Sequence, residues 1–571
     1  MALNSDRKNG FCLQVNRTQL AALSYILILL LLLKVVWGMW NWKDLTSGDT
    51  SCYCISAYQW ALHGKINAGA MIYSPLYVVY YSKFLSFFNN AYPATIAHRI
   101  IILLALGLTI LALCRSLLPK SIAWFIAAWW LALPINWNAY YEVHLFGLFF
   151  FVFGSWLAGL RDCAMNRGIA LASFFTGALL VRNEFLVAAA IMSVVLVGYE
   201  LRRIRLAPGA GTLLRSIASA FGPSLVILIG AIVLFQESLN KDVLRAFQSR
   251  HLTNMGQVLA YGYQQRHPEW THNPWTEYSP LMQQKFGRQL VSFTDAASIN
   301  PQEIRDYVLW NLSLVPNGIQ LALFNNYSGK YTPDFAVWHG SRAKAYVLSC
   351  VLLIVLAAGT YSLWRQREIW KRFLNHRRVW VLVTMATTLP SAFLAIITQR
   401  PRPSYIFTLA LFVMVVTGFC MSAMLRNFRL HRSFNRISLV LALCVLVFIP
   451  AGSTIVTGER QLYEVYQRLY PYRQFFADTS NVFASDSSCS VVSNYLGEGS
   501  HLKSCYLPGD SQAGSAFQQF LQQNKVSLLY LAEQSQRRHD FAEWWTSPER
   551  NRWTIVAYDD KAKWIFLKKN G

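Results

Sequence analysis

Apolar runs of roughly 20 residues, each long enough for a helix to cross a hydrocarbon core of about 30 Å, recur along most of this chain. They fall near residues 20–40, 97–114, 121–137, 142–160, 168–182, 184–201, 216–236, 345–364, 379–398, 404–425 and 437–456. Lipid offers no partner to a free backbone N–H or C=O, so runs of this length are expected to be helices. The expected fold is an α-helical polytopic membrane protein with about eleven transmembrane helices. A shorter apolar stretch, Tyr73–Phe88, suits a re-entrant or interfacial segment.

Composition agrees, with 54% hydrophobic, 15% aromatic and 14% charged residues. A net charge of +24 would suggest nucleic acid in a soluble protein. Here Lys and Arg instead gather in the connections 115–120, 161–167, 202–215, 365–378 and 426–436, which all lie on one side if the spans alternate. Such a bias marks the cytoplasmic side and orients the chain, so no nucleic-acid partner is expected. Residues 1–19 are polar, and the run behind them is too long for a signal-peptide core, so the first span is retained. The N-terminus is then cytoplasmic, in a plasma membrane or a bacterial inner membrane. Loops 41–96 and 237–344 face outward with the tail. Residues 1–456 form the membrane module. Residues 457–571 form an extracytoplasmic α/β domain, because β-rich runs such as Val526–Leu531 and Trp553–Tyr558 alternate with helix-compatible stretches. Helical segments, notably 299–312, make loop 237–344 an ordered unit.

Charged residues next to lipid are costly, and a cluster of them on one side of a membrane protein marks a functional site. On the outward side stand Asp49, just beyond the first span; Glu142 and His144, at the end of a span; Arg182 and Glu184, in a tight turn; and Arg400 and Arg402 before a late span. A polyprenyl-phosphate sugar needs a membrane groove for its tail, cations for its phosphate and a base to activate the acceptor. Phosphate is already a good leaving group, so one carboxylate suffices where an ordinary glycoside hydrolase uses two. Arginine suits the phosphate through its planar, bidentate fork.

The sequence resembles the C-type (GT-C) membrane glycosyltransferases, in particular the branch with protein O-mannosyltransferases and bacterial aminoarabinose transferase. The likeness lies in Gly48-Asp49-Thr50 with the following Tyr53, Tyr58 and Trp60, in Tyr73-Ser74-Pro75-Leu76-Tyr77, in Leu180-Val181-Arg182-Asn183-Glu184-Phe185, and in Arg400-Pro401-Arg402-Pro403-Ser404-Tyr405. It departs where Thr50 stands beside the first acid and where Pro403 separates Arg402 from Tyr405. The resemblance implies an inverting transferase with Asp49 as base. Arg182, Arg400 and Arg402 would be donor-phosphate ligands, with Glu184, Tyr405 and Tyr77 around the donor; Glu142 and His144, by their place at the outer end of a span and not by the resemblance, are candidates to orient the donor or assist Asp49. The implied partners are a polyprenyl-phosphate sugar, a lipid, glycan or protein acceptor, and membrane lipids. No cofactor is expected, and a divalent metal is not indicated.

Each assignment has a plainer counterpart. Asp49 can cap a helix, Arg182 and Glu184 can form a local ion pair, Arg400 and Arg402 can anchor at headgroups, and Glu142 and His144 can serve structural hydrogen bonds. A transporter or flippase of lipid-linked sugars, or a non-catalytic assembly protein, would share several of these features. His267-Pro268-Glu269-Trp270-Thr271-His272 lacks helical metal-ligand spacing. Cys489 and Cys505 form a disulfide candidate on the oxidising side, while Cys52 and Cys54 are expected to pack.

Overall fold

The computed structural model describes residues 17–37, 49–64, 74–88, 91–137, 142–206, 210–235, 241–334, 341–427, 460–478, 480–485, 503–506, 516–561 and 563–570. The bundle opens with α1 (Arg17–Val36), α2 (Asp49–His63), α3 (Pro75–Phe88), α4 (Ala91–Leu117) and α5 (Lys120–Ala132). It continues through α6 (Glu142–Leu160), α7 (Ala164–Leu180), α8 (Leu186–Leu206) and α9 (Ala210–Phe235). A helical insertion follows, made of α10 (Lys241–Arg266), α11 (Tyr278–Phe286), α12 (Phe293–Ile299), α13 (Pro301–Ser313) and α14 (Val315–Phe324). The bundle resumes with α15 (Arg342–Arg365), α16 (Arg367–Phe373), α17 (His376–Thr387), α18 (Leu389–Thr398) and α19 (Pro403–Asn427).

Among the described residues seven helices are long and apolar enough to cross a membrane: Pro93–Leu117, Glu142–Leu160, Asn183–Arg203, Arg215–Val233, Arg342–Arg365, His376–Thr398 and Pro403–Arg426. Three further expected spans are not among these seven. The first is the 20-residue α1, within which the described side chains form the apolar stretch Tyr25–Val36. The run at 121–137 becomes the 13-residue α5, followed by a 3-10 turn at Pro134–Trp137. The run at 168–182 becomes the 17-residue α7. At 1.5 Å per residue α5 reaches only about 20 Å, and most of it is buried against neighbouring helices. Its apolarity therefore reports packing inside the bundle as much as contact with lipid. The expected span at 437–456 lies outside the described residues. Tyr73 does too, and the stretch behind it is the 14-residue α3, which is too short to cross.

Close helix contacts follow from small residues, as is usual in lipid. A Cβ on Gly359 would overlap Cys420, so α15 and α19 meet almost backbone to backbone. At the end expected to be cytoplasmic, Arg167 is buried and held by Glu200 at 2.8 Å and Asp162 at 2.9 Å, with its guanidinium 4.7 Å from the Tyr199 ring centre.

The tail carries a sheet, as expected of an α/β domain, with five strands among the described residues: β1 (Val482–Ser485), β2 (Lys503–Tyr506), β3 (Leu528–Leu531), β4 (Trp553–Asp559) and β5 (Trp564–Lys569). The order is β2-β1-β3-β5-β4, with β1 parallel to β2 and β3, and β5 antiparallel to β3 and β4. Strand β3 reads Leu-Leu-Tyr-Leu and is buried throughout, as a central strand covered on both faces should be. One face packs on Phe517, Leu521, Phe541 and Trp544, while Phe483, Tyr530 and Phe566 join the apolar cluster that includes the helix bundle. Cys505 lies on β2, and its expected partner Cys489 is outside the described residues.

Candidate functional site

Two groups of buried polar side chains meet at the first turn of α6, where Glu142 and His144 stand one residue apart. Glu142 faces α3 and α4. It accepts from the Tyr77 hydroxyl at 3.0 Å, lies 3.2 Å from His98 Nε2 and is ion-paired with Arg99. Tyr77 also bonds His98 Nε2 at 2.9 Å, and all four residues are buried. A buried charge persists only when it is paired and hydrogen-bonded, and this knot meets that condition by joining α3, α4 and α6. Tyr77 and Glu142 were expected near a donor site; the structure commits both to this knot. His98 and Arg99 were missed, because an apolar run hides which of its residues face inward.

His144 faces the other way, toward Arg182, Glu184, Arg402 and Tyr405. Its Nε2 is 4.0 Å from Glu184, and its ring centre is 5.5 Å from that of Tyr405. Glu184 accepts from Arg182 Nε at 2.7 Å, so the expected local pair exists. The Arg402 guanidinium lies 5.7 Å from the Tyr405 ring centre. The turn carrying Arg182 is built from its sequence: Arg182 N–H bonds the Gly177 carbonyl at 2.8 Å, and Phe185 plugs into the bundle 4.2 Å from the Phe151 ring. Ser74 Oγ donates to the Val181 carbonyl at 2.6 Å, and Tyr53 contacts Ser74 Oγ at 3.3 Å. Those two bonds dock the first loop onto the Arg182 turn. Asp49 is the first residue of α2, one helical turn before Tyr53.

The second arginine pair is placed from the insertion. Helix α18 ends with open carbonyls, and α13 satisfies them: Tyr307 donates to Gln399 O at 2.9 Å and Asn311 to Ile397 O at 3.2 Å. Pro403 occupies the first position of α19, where its missing N–H costs nothing. Pro403 between Arg402 and Tyr405 thus marks a helix start. Arg402 Nε donates to the fully buried Asp334 at 3.0 Å, and its side chain keeps 16% exposure. Arg400 is fully buried. It donates to Gln265 at 2.6 Å and Thr332 O at 3.2 Å and lies over the Tyr261 ring at 4.3 Å. Burial lowers its pKa to about 10, which leaves it a cation at neutral pH. These contacts make Arg400 a strut that holds the loop, and leave Arg402 as the arginine at the edge. Gln265 and Asp334 were not expected from sequence, since neither sits in a motif.

A Cβ on Gly318 would overlap the Pro401 carbonyl oxygen, so α14 seats this loop directly. Gly318→Ala is expected to push the Arg400–Arg402 segment outward and cost about 1–3 kcal/mol, as overpacking does. A lowered midpoint in thermal unfolding, followed in detergent, checks it. Among the described residues no cluster of three His, Cys, Asp or Glu side chains could hold a metal. His267 pairs with Glu269 at 3.1 Å, and Trp270 packs on the core of the insertion. Cys54 is buried, whereas Cys52 is exposed.

No family model and no curated protein sequence matches this chain. Among solved structures it is similar to the oligosaccharyltransferase of Archaeoglobus fulgidus tethered with an acceptor peptide, at 13% identity and a TM-score of 0.49, covering 91% of this chain and 70% of that one. It is also similar to the archaeal oligosaccharyltransferase AglB in complex with an inhibitory peptide and a dolichol-phosphate, at 12% identity, a TM-score of 0.45, and coverage of 97% and 74%. A third is ArnT from Cupriavidus metallidurans bound to undecaprenyl phosphate, at 12% identity, a TM-score of 0.39, and coverage of 97% and 98%. These likenesses stand as observations, and the functional reading is carried by the side chains.

Proposed function

We propose that this protein is a multi-pass inverting glycosyltransferase of the GT-C kind, taking a sugar from a polyprenyl-phosphate carrier at the outer face of a plasma membrane. The observation that carries the reading is the convergence of two arginines on the His144–Tyr405 contact: Arg182 through Glu184, 4.0 Å from His144, and Arg402 with its guanidinium 5.7 Å from the Tyr405 ring centre, at helix ends onto which Tyr53 and Ser74 dock the first loop. Both guanidiniums are held by a carboxylate, so each is preset in orientation and partly exposed, at 15% and 16%. A lipid phosphate supplies the negative charge that such a pair of forks accepts bidentately. Asp49 then takes the proton of the acceptor hydroxyl or amine as that atom attacks the anomeric carbon. The carbon–phosphate-oxygen bond breaks, and the phosphate leaves onto the arginines.

Binding of radiolabelled polyprenyl phosphate to the purified chain tests the phosphate assignment. Arg182→Lys keeps a cation beside Glu184 but loses the planar fork. A charge-assisted hydrogen bond contributes about 1.5–3 kcal/mol, so binding should weaken about 10–100-fold, with Arg182→Ala at least as severe. Unchanged affinity in both variants would remove Arg182 from the phosphate site.

A further inference from the structure

We propose a second ligand site, for a neutral glycan, in a cleft of about 470 Å³ on the C-terminal domain. The cleft lies between β4, the turn into β5, and the short helix Glu533–Gln536, with Trp545 at its margin. Its volume falls in the range of small-ligand sites.

The local backbone is shaped to present it. Side chains three apart on a regular strand point to opposite faces. Strand β4 has a bulge, because Ile555 pairs with Leu567 and Ala557 with Phe566, leaving Val556 extra. The bulge re-aims the strand and turns both Ile555 and Tyr558 into the cleft. They are 41% and 64% exposed, although each is a large apolar or aromatic residue on a folded sheet. The opposite wall is fixed in place. Glu533 accepts from Lys563 at 3.0 Å and is ion-paired with Arg537, while Gln536 donates to the Lys563 carbonyl at 3.1 Å.

The chemistry of the lining selects the ligand. An exposed tyrosine face carries the negative side of a ring quadrupole, which the axial C–H groups of a pyranose can cover. Around it, Glu533, Asp559 and Asp560 accept hydrogen bonds, while Gln536, Arg537 and Lys563 donate them. Three carboxylates against two cations disfavour a polyanion such as a phospholipid headgroup. A polyhydroxylated neutral ligand uses donors, acceptors and ring face together. This site is separate from the arginine-lined one, and it stands or falls without it.

The test uses the full-length protein in detergent on an array of neutral, sulfated and phosphorylated oligosaccharides. Tyr558→Ala and Asp560→Ala change exposed side chains and leave the sheet core untouched. Expected is retention on neutral glycans that falls at least tenfold in both variants and is unchanged in Asp49→Asn. Retention only on anionic glycans, no retention at all, or a signal lost with Asp49→Asn and kept in Tyr558→Ala would overturn the proposal.

Discussion

Glu142→Leu is expected to destabilise the bundle by about 3–5 kcal/mol, because it removes the partner of the buried Arg99 and leaves that charge uncompensated. Tyr77 would lose its acceptor as well, though it keeps its bond to His98. The double variant Arg99→Leu with Glu142→Leu should recover most of the loss, since replacing a buried ion pair by apolar groups of similar size is often near neutral. Loss of the monodisperse peak on heating in detergent, followed by size-exclusion chromatography, reads both effects. If the single and double variants melt alike, the pair is not what ties α4 to α6.

The second large effect is on rate. Asp49→Asn should lower sugar transfer about 10²–10⁴-fold, the usual contribution of a positioned general base, with the melting midpoint held near that of the native chain. A side chain that only capped α2 would instead cost about 1 kcal/mol of stability, and asparagine, itself a good cap, would cost less. The two roles therefore separate cleanly: lost transfer with an unchanged midpoint marks a base, while full transfer removes Asp49 from the mechanism.

Much of this architecture was legible in the sequence. The run 142–160 matches α6 residue for residue, 345–364 falls within α15, and helix 299–312 appears as α13 with Asn300 capping Glu303 N–H. These elements were readable because hydropathy and capping are local signals. The short helix α5 was not read at its true length, since apolarity does not distinguish a lipid-facing helix from one packed inside the bundle. The residues of the candidate site were legible in part. Arg182 with Glu184 is a two-residue signal, and Arg400 and Arg402 are charges where the surrounding sequence is poor in them. What was hidden is who faces whom. Asp334 meets Arg402 across 68 positions, and Gln265 meets Arg400 across 135. Nor does an apolar run reveal that Glu142 turns toward Arg99 while His144, half a turn on, faces Glu184 and Tyr405.

The central claim is tested most directly by incubating the purified chain in liposomes with radiolabelled polyprenyl-phosphate sugars and a membrane extract as acceptor source. The expected result is label moving from the lipid to the acceptor fraction, with free polyprenyl phosphate released in equal amount. Lipid-linked sugar that binds and crosses the bilayer with its phosphate bond intact would contradict the assignment and make this protein a flippase.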